Sequence, residues 1–84
     1  MNFLDFSNYM GSHLRNEELL LKISTSLKLL REKKELTQED VYNDTGIHIS
    51  RIESSKANIT LSTLGALCKY YQISLIDFFK EINL

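Results

Sequence analysis

Thr37-Gln38-Glu39-Asp40-Val41-Tyr42-Asn43-Asp44-Thr45-Gly46-Ile47-His48-Ile49-Ser50-Arg51-Ile52-Glu53 is the stretch that decides the fold. It opens as helices open. The Thr37 hydroxyl can accept from the backbone N–H at the third helical position, and acids in the first turn favour the positive end of the helix dipole. The spacing predicts a helix running to about residue 44 or 45. Gly46, which takes positive φ without a Cβ penalty, then breaks it. A second short helix follows through Ile49, Ser50, Arg51, Ile52 and Glu53, with Ile49 and Ile52 three apart on its inner side. Residues 54–58 are polar and predict a loop.

Working outward, residues 17–34 are helical in pattern. Leu19, Leu20, Ile23, Leu27 and Leu30 recur at spacings of three and four, and Arg31, Lys33 and Lys34 fall in the last turn, where cations suit the dipole. Downstream, Thr60 can cap a helix over 61–71 with an apolar stripe of Leu61, Leu64, Leu67, Cys68 and Tyr71. Ser74 with Asp77 opens a last helix that carries Leu75, Ile76, Phe78, Phe79 and Ile82. No strand pattern competes. The sum is an all-α domain of four or five short helices. Residues 1–16 read as an N-terminal extension and 17–84 as the domain. Phe3, Leu4, Phe6, Tyr9, Met10 and Leu14 make the extension too apolar for a solvated tail, and predict packing on the domain or on a second subunit.

The chain has 84 residues, so a single domain is expected. Its one cysteine, Cys68, excludes an internal disulfide, and on an apolar stripe it reads as a buried structural residue. His13, His48 and Cys68 are scattered, without metal-ligand spacing. No nucleophile–base pairing and no phosphate-cradling glycine loop is present, so neither an enzyme nor a cofactor is expected. No apolar run is long enough to span a bilayer, and the first ten residues lack the basic start of a secretory signal. These readings predict a cytoplasmic protein with no membrane association.

A helix-turn-helix is what two short helices around a tight glycine turn suggest, with a longer helix before and two after. Residues 27–79 resemble the phage-repressor and Cro type of helix-turn-helix regulator, the XRE family. Leu27-Lys28-Leu29-Leu30-Arg31 is similar to the family's first helix, and Leu36-Thr37-Gln38-Glu39-Asp40-Val41 to the start of its second. Ile49-Ser50-Arg51-Ile52-Glu53 resembles the second half of the recognition helix. Residues 56–64 resemble the loop and fourth-helix start, and 73–79 the fifth helix. There are four departures. The span from Gly46 to Glu53 is about three residues short, so either the second helix or the turn is cut. Tyr42 stands where a small residue is usual, Ser55 where glycine is usual, and Ile59 where proline is usual.

The resemblance implies a lambda-repressor-like fold that places a helix around 47–54 in the major groove of double-stranded DNA. Arg51, His48, Thr45 and Ile47 are the expected base contacts. Arg51 leads, because a guanidinium can bond guanine bidentately; Ile47 is either turn core or a contact to a thymine methyl. Gln38, Thr37, Lys56 and Asn58 are the expected phosphate contacts. Glu53 is expected to bond locally and hold the turn. The formal net charge is −1, and between Lys22 and Thr60 there are seven Lys/Arg against six Asp/Glu. The positive surface must therefore come from arrangement, with Arg31, Lys33, Lys34, Arg51 and Lys56 on one side. So weak a charge favours a homodimer that adds two modules. The resemblance implies a repressor acting by occupancy, and no small-molecule ligand is expected. A helical protein-interaction module is the competing reading.

Overall fold

The computed structural model describes residues 16–83, and the expectations placed on residues 1–15 lie outside the described residues. Five helices follow one another: α1 (Glu17–Lys33), α2 (Gln38–Thr45), α3 (Ile49–Glu53), α4 (Leu61–Tyr70) and α5 (Leu75–Glu81). Among the described residues there is no strand.

Each of the long helices begins where a short polar side chain closes its first turn. Asn16 Oδ1 accepts from the Leu19 N–H, so Asn16 is the N-cap of α1 and belongs to the domain. Thr37 and Asp40 form a reciprocal capping box at α2, with bonds of 3.0 Å and 2.8 Å. Thr60 caps α4 and Ser74 caps α5 in the same manner. The helices also end alike. Glu35, Ser55, Gln72 and Asn83 follow the C-caps of α1, α3, α4 and α5 with φ near +60° (58°, 61°, 62° and 56°). At the first three, the N–H two residues past the C-cap reaches the carbonyl of Arg31, Arg51 or Cys68, the Schellman arrangement that satisfies end carbonyls. Ser55 thus holds the left-handed conformation for which a glycine is usual in the family.

The core is one cluster around Leu27, Val41, Ile49, Leu64, Leu67, Tyr71 and Phe78, all essentially sealed from solvent. Burying such side chains contributes roughly 1.5–3 kcal/mol each. Cys68 is buried among them, and burial pushes its thiol pKa up. α1 packs on α3, α2 on α3 and α4 on α5, so α3 is held between the long first helix and α2. The apolar stripes of α4 and α5 are narrower than the sequence predicts. Leu61 is 77% exposed and Ile76 69%. Both sit in first turns, where a helical Cβ leans towards the N-terminus and past the end of the packed layer.

Candidate nucleic-acid interface

The α2–α3 unit is built by its turn. Gly46 has φ 75° and its N–H donates to the Tyr42 carbonyl at 2.8 Å. Thr45 ties the corner from both sides: its hydroxyl donates to the Val41 carbonyl at 2.7 Å and accepts from the Ile47 N–H at 3.0 Å. Ile47 is half-buried against the core. Thr45 and Ile47 therefore stand in the turn itself. The second helix spans Ile49–Glu53, the five residues that the isoleucine spacing predicts, and is shorter than the 47–54 that the resemblance implies.

His48 is the N-cap residue of α3, but its side chain makes no capping bond. Its ring instead stacks on Tyr42, with centroids 4.2 Å apart and planes 23° from parallel. Tyr42, 44% exposed, therefore lies on the outer surface and does not wedge between helices. Gln38, Glu39, Tyr42, His48, Ile49 and Ser50 line a shallow depression between the starts of α2 and α3. Sequence reasoning did not foresee the Tyr42–His48 stack; their spacing of six residues across a glycine turn gives no periodic signal.

Glu53 departs from expectation. It does not bond locally but is held from α1: Arg31 Nε donates to Oε2 at 2.8 Å and Arg31 Nη2 to Oε1 at 3.1 Å. The side chains of Arg31 and Glu53 are 11% and 4% exposed. Gln38 Nε2 adds a third donor at 3.0 Å, and Arg31 Nη1 also donates to the Leu36 carbonyl at 2.7 Å. This bidentate bond raises the Arg31 pKa further. Arg31 is thereby withdrawn from the basic surface expected of it. A second polar link joins the buried hydroxyl of Ser24 on α1 to that of Ser55 at the end of α3.

Arg51 lies on the opposite side of α3, exposed, and its guanidinium has no hydrogen-bond or ion-pair partner among the described residues. Neither nearby acid engages it: Glu53 is held by Arg31 and Gln38, and Asp44 accepts from the Tyr70 hydroxyl, whose pKa that bond raises to about 12. Thr37 is committed to the capping box. The Gln38 side chain is shared with Glu53, yet a primary amide has two N–H groups and one remains. Lys56 and Asn58 are exposed in the loop between α3 and α4. Of the eight residues singled out in the sequence, Gln38 and His48 line the same depression, and Arg51, Lys56 and Asn58 are exposed on α3 and the loop after it. Thr37, Thr45 and Ile47 are committed to the α2 cap, the turn and the core.

Among the described residues no helix is long and apolar enough to cross a membrane, and no group of three His, Cys, Asp or Glu side chains is placed to hold a metal ion. No curated protein and no solved structure gives a significant match to the chain. The family model described as helix-turn-helix matches residues 27–78, more than half of the chain and the segment that runs from mid-α1 to α5. With five helices in the predicted order and the α2–turn–α3 unit at their surface, the chain belongs to the helix-turn-helix family of Cro and repressor-type DNA-binding regulators.

Proposed function

We propose that this protein is a sequence-specific transcriptional repressor that works in the cytoplasm by occupying an operator as a homodimer. The observation that carries the reading is the sorting of charge on α3. Its one carboxylate, Glu53, is neutralised from behind by Arg31, whereas its one cation, Arg51, is exposed and unpaired among the described residues. A face of that kind presents a guanidinium, and no bare carboxylate from α3, to a phosphate-lined groove. Arg51 and His48 read base edges, with Thr45 and Ile47 setting the height of the turn. The remaining Gln38 N–H and the α2 start beside Thr37 meet phosphate on one side, and Lys56 and Asn58 meet it on the other. Leu75 and Ile76, exposed on α5, support a two-fold apolar contact that would bring two α3 helices to successive turns of one duplex.

A specific observation favours a second reading, a helical protein-interaction module. Glu39 is exposed in the depression beside Gln38, and with Arg31 withdrawn the surface has one fewer cation to offset it. Selection from a random duplex-DNA library, run with the wild-type chain and with Arg51→Ala, separates the two. Enrichment of a pseudo-palindrome with half-sites about 34 Å apart, lost in the variant, establishes the operator-binding dimer. Absence of enrichment at low salt from a folded protein overturns it in favour of the protein-interaction reading. A monomeric mass in light scattering at micromolar concentration overturns the dimer alone.

A further inference from the structure

We propose that the apolar side chains of residues 1–15 fill a groove on their own domain, between the start of α1, the start of α4 and the loop that precedes it. The groove has a volume of about 290 Å³, and Leu19, Ile23, Ile59, Leu61, Leu64 and Phe79 supply most of its wall. None of its lining residues is charged. A cavity of roughly 150 Å³ accommodates one benzene ring, so this one has room for about two large side chains. Leu61 forms the outer lip and stands 77% exposed, beside the other apolar side chains of the wall.

The occupant follows from where the chain enters. Asn16 itself lines the groove, so residue 15 is covalently attached at its rim. Seven of the preceding fifteen residues are large and apolar (Met1, Phe3, Leu4, Phe6, Tyr9, Met10, Leu14), and only Asp5 and Arg15 have fully charged side chains. At about 3.3–3.6 Å per residue, Met10 can reach any point within roughly 20 Å of Asn16, and Phe6 farther still. A tethered segment acts at a local concentration on the order of millimolar, so it outcompetes a separate chain present at micromolar concentration. Occupancy would also press on Asn58, Ile59 and Thr60, which form one wall, and so order the loop that carries two of the proposed phosphate contacts. The seating of the segment does not depend on DNA binding.

The test uses the full-length chain. A nitroxide is attached at Ser7→Cys; Cys68 is buried, with its pKa raised, and stays unlabelled. In dilute ¹⁵N-labelled protein carrying the nitroxide, the amides of Ile23, Leu61 and Leu64 should lose most of their intensity, and those of Arg51 and Ile52 should keep it. In a mixture of nitroxide-bearing unlabelled chain with label-free ¹⁵N chain, the same amides should be untouched. Loss confined to residues 16–19, or no loss, overturns the proposal. Loss of equal size in the mixed sample also overturns it, in favour of a second copy as the occupant.

Discussion

Removing the Glu53 carboxylate should cost the protein a large part of its stability. In Glu53→Ala, the Arg31 guanidinium, 11% exposed, keeps only the Leu36 carbonyl, and two charge-assisted bonds vanish with the third from Gln38. Breaking a buried pair by deleting one partner strands a buried charge and costs about 3–5 kcal/mol. A domain of this length has a total stability of roughly 4–13 kcal/mol at about 0.05–0.15 kcal/mol per residue. Urea unfolding followed by far-ultraviolet circular dichroism measures the loss. With an m value of about 1 kcal/mol per molar for a small domain, the midpoint should fall by several molar, or the variant should be unfolded in water. The paired variant Arg31→Met with Glu53→Leu removes both charges and leaves none uncompensated, so it should return close to wild-type stability. A loss under about 1 kcal/mol in Glu53→Ala, or a double variant no better than the single one, would refute the view that this ion pair locks α3 to α1.

Three further outcomes are expected. Gly46→Ala should cost about 1 kcal/mol through its positive φ alone, since an added Cβ meets no atom within 4 Å, whereas Gly65→Ala in the equally open middle of α4 should gain about 0.5–1 kcal/mol; thermal melts of the two should move in opposite directions. Tyr71 buries a hydroxyl with no hydrogen-bond partner among the described residues, and burial, then the Glu53 charge, push its pKa up to about 12. Tyr71→Phe should therefore be neutral or stabilising by about 1 kcal/mol, and a marked loss in denaturant titration would reveal a partner. Asp40, held by the Thr37 N–H and then its hydroxyl, has a folded pKa below 3.8; its contribution is complete above 3.8 and disappears as pH falls through the lower folded value. Asp40→Asn should flatten that part of the acid limb in a stability–pH titration.

Much of this fold can be read from local chemistry, because its helices begin at short polar caps. Thr37, Thr60 and Ser74 each mark a first turn, and Gly46 marks the break. The predicted ends fall within a residue of those observed for α1 and α4. What escapes is non-local. Arg31 and Glu53 lie 22 positions apart, and no periodicity relates them, so a cation counted towards the surface turns inward. Leu61, Leu75 and Ile76 fit an apolar stripe by spacing, yet spacing does not reveal that a first-turn side chain overhangs the packed layer. Tyr42 stands where a small residue is usual in the family, and its ring turns outward onto His48. The exposure of Arg51 is legible from its place between two inward isoleucines. The role of Thr45 depends on bonds made within the turn, which residue identity alone leaves open.

The left-handed residues that close four of the five helices give the chain mutational headroom. Glu35, Ser55, Gln72 and Asn83 hold a conformation that costs an L-residue about 1–2 kcal/mol and a glycine little, although glycine surrenders part of that difference through the greater freedom of its unfolded chain. Glu35, Gln72 and Asn83 are thus each one substitution to glycine away from a gain of a few tenths to about 1 kcal/mol, whereas at Ser55 the lost bond to the buried Ser24 hydroxyl offsets it. A lineage changing its recognition residues, and losing a little stability with each trial, could recover it at these helix ends without touching the helices that meet DNA.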